Sequence, residues 1–309
     1  MECREYHLAI FLETRPCQPG HVVIMIRPST VSASACRRAD SRIIILGASA
    51  RALAESAVRA GWGVYAADLF GDLDLQAVAM EAVPVAHGTN HATMDYPWSL
   101  LTAASGFPPG AAWCYTGAVE NHPDLIDAIA RERPLAGNPS GVVQRLRDPV
   151  QIAAAATAAG LVFPETLSSP AGVPLDGTFL VKPLAGAGGR GIRHWTAEVA
   201  ADHATRQASE RAIRPHAARI WQRFVTGRPL SASYCFTQRS SRLLGICGQL
   251  IGEPCCHAGL FAWCGAVTLT ADGSRPDHDR LVASLTRLGE VLASRFLPVG
   301  LVGDRKSVV

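Results

Sequence analysis

Four of the six positions from 186 to 191 are glycine, directly after the strand-like run Thr178-Phe-Leu-Val-Lys-Pro183. Each glycine costs roughly 0.5–1 kcal/mol of backbone order relative to alanine, so a plain connection would not carry four. A loop of this kind lets backbone N–H groups converge on an anion. Lys182, at the strand end just before it, brings an ammonium to the same place. A strand, a lysine and an anion-binding turn in that order require an ordered sheet. The composition agrees: 48% apolar against 18% charged residues supplies a core and excludes disorder. The 28 Gly and 20 Pro follow no short period, which excludes collagen-like and coiled-coil chains.

Upstream, strands and helices alternate. Arg42-Ile-Ile-Ile-Leu-Gly-Ala-Ser49 reads as a buried parallel strand ending in a glycine turn. A helix over 50–60 stops at Gly61, and strands follow at Gly63–Asp68 and Ala82–Ala86. Pro97–Ser105 suits a helix and Ala111–Tyr115 a fourth strand. His122–Arg131 follows as a helix with Asn121 as cap and Pro123 at its first position. This rhythm predicts a doubly wound α/β domain over 42–135. Then Asp148 caps an alanine-rich helix, Pro149 to Ala159, and strands are expected at Val162–Leu167, Thr178–Pro183 and Arg219–Val225. Helical residues 196–212 precede the last of these. Leu230–Thr237 and Arg242–Leu250 read as an antiparallel pair turning at Gln238–Ser241, and Asp277–Leu297 as a long amphipathic helix. The expectation for 136–303 is α+β. Residues 1–41 carry no clear period and read as a poorly structured extension, in which Met25 is an alternative start.

The residues leave more than one reading of the loop. A Walker P-loop needs its lysine after the glycines and is excluded. Gly186-x-Gly188-x-x-Gly191 satisfies the dinucleotide fingerprint, with Glu210 near the distance of a ribose acid. A nicotinamide-dependent reductase is therefore one candidate, although a dinucleotide turn opens a helix straight off its strand. A non-catalytic nucleotide-binding module is another, and a flexible turn with a solvated lysine the plainest.

Leu180-Val-Lys-Pro-Leu-Ala-Gly-Ala-Gly-Gly-Arg-Gly-Ile192 resembles the strand lysine and phosphate loop of the ATP-grasp superfamily. Ile220-Trp-Gln-Arg-Phe-Val-Thr-Gly-Arg-Pro-Leu-Ser231 is similar to that family's hinge strand. Gly259–Val267 is similar to a later strand framing its active site. Cys114–Asn121 and Leu135–Asn138 resemble the preceding domain in the predicted ATP-dependent carboligases related to biotin carboxylase. The resemblance implies a pre-ATP-grasp domain at 42–135 and an ATP-grasp domain at 136–303. It also implies that Lys182, Gly186, Gly188, Gly189, Arg190 and Gly191 surround the phosphates of ATP. Gln222, the carbonyl of Arg223 and the N–H of Val225 would read the adenine. The implied reaction activates a carboxylate as an acylphosphate for attack by an amine or thiol, with Mg2+ as cofactor and small molecules as partners.

Two departures stand out. The family's earlier phosphate-binding lysine has no counterpart in Gln144-Arg-Leu-Arg-Asp-Pro149, where Arg145 or Arg147 would substitute. Its Mg2+ carboxylates lie on and beyond the strand that Leu297–Gly303 resembles. The hexapeptide Asp304–Val309 does not resemble the family's continuation and matches the translation of a common sequencing adaptor. The expectation is a truncated reading frame with no metal ligand of its own, binding nucleotide weakly and turning over negligibly.

The remaining features exclude other classes. With 29 basic and 26 acidic residues the net charge of +3 does not suggest a nucleic-acid surface. No apolar run approaches a membrane span and no secretory leader is recognisable, so the cytoplasm is expected. Nine irregularly spaced cysteines form no disulfide framework. Cys255-Cys256-His257 with Cys264 lacks paired zinc-site spacing and is expected to be ordinary buried thiols. Ser105-Gly106 and Ser231 lie in no nucleophile elbow, and no histidine lies in an H-E-x-x-H motif.

Overall fold

The computed structural model describes residues 41–85, 96–213, 218–237, 239–269 and 278–308, with the backbone alone at 206–213 and 304–308. The extension up to residue 40, Ala86, Gln238, Asp277 and the side chains of Glu210 and Asp304 lie outside the described residues.

Strands and helices alternate as the pattern predicted, with α2 added: β1 (Arg42–Leu46), α1 (Arg51–Arg59), β2 (Gly63–Asp68), α2 (Leu73–Val78), β3 (Glu81–Pro84), α3 (Ser99–Gly106), β4 (Ala112–Tyr115) and α4 (Pro123–Glu132). The strands form one parallel sheet in the order β3-β2-β1-β4. Ile44 and Leu46 pack on one face with Leu100, Trp113, Leu125 and Ile129. Ile45 packs on the other with Val64, Ala54 and Leu75. Burial on both faces explains why β1 reads as an unbroken apolar run rather than an alternating one. Asp68, wholly buried at the end of β2, accepts from the N–H groups of Ala50 (2.8 Å), Phe70 (3.0 Å) and Gly71 (2.8 Å). Those bonds tie the start of α1 and the turn before α2 to the sheet.

Asn121 does not cap α4. The N-cap is His122, without a side-chain bond, because Asn121 ends a short 3-10 turn at Val119–Asn121 and its amide is engaged elsewhere.

Next come α5 (Ser140–Arg147), which the sequence reading did not separate, and α6 (Pro149–Ala158). Asp148 caps α6 by accepting from the N–H of Val150 (2.9 Å). A second sheet then contains β5 (Thr166–Leu167), β6 (Asp176–Pro183), β7 (Arg193–Thr196) and, after α7 (Ala197–Ile213), β8 (Arg219–Arg223). Its order is β5-β8-β6-β7, antiparallel throughout. Strand β5 is two residues long rather than 162–167, because Val162 is almost fully exposed and Pro164 interrupts the ladder.

The third sheet orders β11-β10-β9-β12 from β9 (Arg228–Thr237), β10 (Ser240–Ile251), β11 (Trp263–Thr268) and, after α8 (His278–Phe296), β12 (Gly300–Val308). Leu285, Leu288, Leu292 and Phe296 of α8 bury against Leu230, Ala232, Tyr234 and Phe236 of β9, with Ala155 of α6 beneath. The Tyr234 hydroxyl donates to the carbonyl of Leu285 (2.9 Å). Strand β12 stays paired with β9 as far as Val308 opposite Arg228. The Asn138 side chain joins this region to the segment after α4, donating to the Val299 carbonyl (2.9 Å) and accepting from the Val299 N–H (2.8 Å). No helix among the described residues is long and apolar enough to cross a membrane.

Candidate nucleotide site

Alternation along β6 and β8 divides their side chains between two environments. Phe179, Val181 and Trp221 pack with Trp195, Val173 and Val199 in a core of their own. Lys182, Gln222 and Ile220 take the other face, which β5 extends with Thr166 directly opposite Gln222. There the Lys182 ammonium donates to Gln222 Oε1 (2.6 Å), and Gln222 Nε2 donates to Thr166 Oγ1 (2.9 Å). Burial holds the Lys182 ammonium below the usual lysine range, because desolvation penalises its charged form.

Beyond Lys182 the chain turns through the glycines with φ of +64° at Gly188, +79° at Gly189 and +78° at Gly191, a region closed to most side chains. The loop rests on the turn between β10 and β11. Trp263 N–H donates to the Gly188 carbonyl (3.1 Å). A Cβ on Gly189 would lie 1.8 Å from the carbonyl oxygen of Phe261, whereas one on Gly188 would meet nothing within 4 Å. Phe261 is itself fixed against His194, with ring centroids 5.3 Å apart, and His194 packs edge-on to Phe224 at 5.0 Å. The glycines are thus needed for backbone shape and, at Gly189, for close approach.

Between the loop, β6, β8 and the α5–α6 corner lies a cavity of about 370 Å3. Lys182, Arg147 and Arg190 line it, and no carboxylate among the described residues does. Apolar walls come from Leu146, Ile152, Phe163, Ile192 and Ile220, with Gln222 at the back. Three cations over an open N–H-rich loop, beside an apolar slot, suit a polyanion attached to a flat apolar ring.

The structure separates the two candidate arginines. Arg147 Nη2 donates to Asn121 Oδ1 (2.6 Å) and to the Leu184 carbonyl at the base of the loop (3.2 Å), with Glu120 Oε1 3.7 Å from Nη1. Arg145 turns the other way, donating to the carbonyl of Phe296 (3.3 Å), and does not line the cavity. Nor does the Arg223 side chain, which lies over the Phe179 ring at 4.7 Å and pairs with Glu165 (2.8 Å). Val225 lies just beyond the end of β8, in the link to β9. Gly186, Gly188 and Gly189 line the cavity, and Gly191 lies just behind it. Thr166, the walls Ile152 and Phe163 and the turn at 252–258 escaped the sequence reading, because none lies in the segments that resemble the family, whereas Ile192, Ile220 and Phe261 do. Arg147 also borders a second cavity of about 450 Å3, with Glu120, Asn138 and Thr116 on its far side. The loop leads into strand β7 rather than a helix, so it does not open a helix as the turn of a dinucleotide fold does.

Among the described residues no group of three His, Cys, Asp or Glu side chains is placed to hold a metal ion. The carboxylates near the cavity, Glu120 and Glu165, are turned to arginines. The residues described therefore do not fit a Mg2+ site. The thiols at 255 and 256 are exposed rather than buried, because they sit in a 3-10 turn beyond β10 and not on a strand. Their sulfurs are 4.0 Å apart.

Residues 147–292 match the family model described as the ATP-grasp domain. No curated protein matches the chain significantly. Among solved structures, N5-carboxyaminoimidazole synthetase from Staphylococcus aureus complexed with ADP aligns over 86% of this chain and 66% of its own, at a TM-score of 0.58 and 12% identity. L-amino acid ligase from Bacillus licheniformis aligns over 87% and 64%, with a TM-score of 0.56 and 15% identity. The biotin carboxylase–nucleotide complex from Campylobacter jejuni aligns over 84% and 64%, with a TM-score of 0.56 and 12% identity. At such identities the likeness is one of fold. The chain spans just under two thirds of the length of these structures.

Proposed function

We propose, from the premise that residues 147–292 of this chain are an ATP-grasp domain, that the cavity between loop and sheet binds ATP in the service of carboxylate ligation. The observation that carries this reading is the charge of the cavity: Lys182, Arg147 and Arg190 around a glycine loop, with no acidic side chain among the described residues on its lining. The fold class of solved relatives, several of them ADP or ATP-analogue complexes, supports the same direction.

In this reading Lys182 and the N–H groups at Gly186–Gly191 hold the phosphates, and Arg190 neutralises charge as it develops on the transferring group. Arg147 takes the place of the family's earlier lysine in preference to Arg145, whose guanidinium is committed to the end of α8. The adenine would lie against Ile192 and Ile220, read by the backbone of Arg223 and Val225, with Gln222 as the polar side chain at its edge. A carboxylate oxygen attacks the γ-phosphorus and the bond to the β-phosphate oxygen breaks, leaving ADP and an acylphosphate. An amine or thiol then displaces phosphate from the acyl carbon. The chain's own contribution is to position and neutralise. Residues 42–135 are proposed as the domain that carries the acceptor side of the cleft and 136–303 as the nucleotide-binding domain.

The experiment is titration of the purified chain with ADP, ATP and NADPH, followed by calorimetry and thermal melting. ATP and ADP should raise the melting temperature, and Lys182→Ala should remove the effect. Protection by the dinucleotide alone, or wild-type nucleotide affinity in Lys182→Ala, would overturn the assignment.

A further inference from the structure

We propose that Thr166, acting through Gln222, is a positioning residue that presets the Lys182 ammonium toward the cavity before any nucleotide arrives. The inference rests on the reading of that cavity as a nucleotide site, but its geometry stands in the chain itself. Thr166, Gln222 and Lys182 come from three strands, β5, β8 and β6, and share one face of the sheet because 166 pairs with 222 and 180 pairs with 222.

The hydrogen bonds among them run in one direction. The Lys182 ammonium donates to Gln222 Oε1 (2.6 Å), Gln222 Nε2 donates to Thr166 Oγ1 (2.9 Å), and the Thr166 hydroxyl donates to the Pro164 carbonyl (2.8 Å). A hydroxyl has one proton, and this one is given to a backbone oxygen that can only accept. Thr166 therefore offers Gln222 lone pairs alone, which turns the amide nitrogen toward Thr166 and its oxygen toward Lys182. The opposite flip would set an N–H2 group against an ammonium, donor against donor. The Pro164 carbonyl thus fixes the order of the whole chain.

Two consequences bear on function. One ammonium proton is held by Gln222, so the remaining two are available to the cavity in a set direction, without the cost of ordering a free lysine at binding. And because the partner is an amide, the lysine is oriented without its charge being cancelled. A carboxylate at 222 would hold the ammonium equally well but would neutralise the cation that the phosphates require.

The test measures the lysine without a ligand and then with one. Competitive acetylation with acetic anhydride across pH, read by peptide mass spectrometry, follows the Lys182 amine in the unliganded chain. ADP titration follows binding. Thr166→Val should move the Lys182 titration to lower pH, since the amide is no longer held to present its oxygen, and should weaken ADP about tenfold. Thr166→Ser, which keeps the hydroxyl, should restore both. Gln222→Glu should move the titration above that of the wild type and still weaken ADP. An unmoved titration in Thr166→Val, or failure of Thr166→Ser to restore it, would overturn the proposal. If the wild type binds no ADP, the nucleotide reading fails while the titration still decides the relay.

Discussion

Alanine at 189 should uncouple the glycine loop from the turn beneath it, and alanine at 188 should not. Both positions have positive φ, so either substitution carries the strain of a left-handed alanine, about 1–2 kcal/mol. Only at 189 does the new methyl also meet backbone, 1.8 Å from the Phe261 oxygen and 2.7 Å from its carbon. Ordinary contact needs about 1.5 Å more. Phe261 cannot supply that by rotating a side chain, since the obstructing atom is a carbonyl in a turn pinned by His194 and Phe224. The overlap should therefore add roughly 1–3 kcal/mol to the strain, relieved by lifting the loop and losing the Trp263 N–H bond to Gly188. Hydrogen exchange at the Trp263 amide and calorimetric titration with ADP form the assay. Gly189→Ala should exchange that amide far faster than wild type and weaken ADP by about tenfold or more beyond Gly188→Ala. If the two variants match in both readouts, the close approach is not what the glycine serves.

Arg147→Ala should weaken ADP about tenfold or more, as loss of a charge-assisted contact does, while Arg145→Ala leaves calorimetric affinity near wild type; equal effects would contradict the placement of the two guanidinia. Lys182→Met should raise the melting temperature of the unliganded chain at neutral pH while removing nucleotide binding. The sign follows from the lowered lysine: the folded state disfavours the charged amine, so wild-type stability rises with pH between the folded value and the ordinary value of about 10.4, and the advantage of methionine shrinks across that window. A melting difference that grows with pH there would refute the reasoning. Asp68→Asn should cost about 1–3 kcal/mol in denaturant unfolding, because one amide oxygen cannot serve N–H groups lying on both sides of the carboxylate. In thiol titration the exposed Cys255 should react readily and Cys114 slowly, since burial pushes the Cys114 thiol up to about 11.

The parallel sheet was legible because its strands are short apolar runs separated by helical periods, signals that lie within ten or so residues. The same locality explains the misses. Asn121 looked like a cap because it precedes Pro123, but Arg147, 26 residues away, takes its amide. The stretch Val162–Leu167 looked like a strand, yet only Thr166 and Leu167 enter a ladder, with β8 from more than fifty residues on. Cys255 and Cys256 looked buried by residue type, and a turn at a hairpin end exposes them.

The sequence by itself determined that a lysine on a strand precedes a loop able to turn its amides toward an anion, since both are properties of consecutive residues. Only the tertiary structure decided which arginine joins them. Positions 145 and 147 lie about 200° apart around a helix, so one must face away, and the packing of α5 against α8 selects Arg147 for the cavity. It likewise decided that Gln222 and Thr166 stand beside Lys182. Strand alternation says which residues share a face, but register is a relation between strands, set by pairing that no single segment encodes.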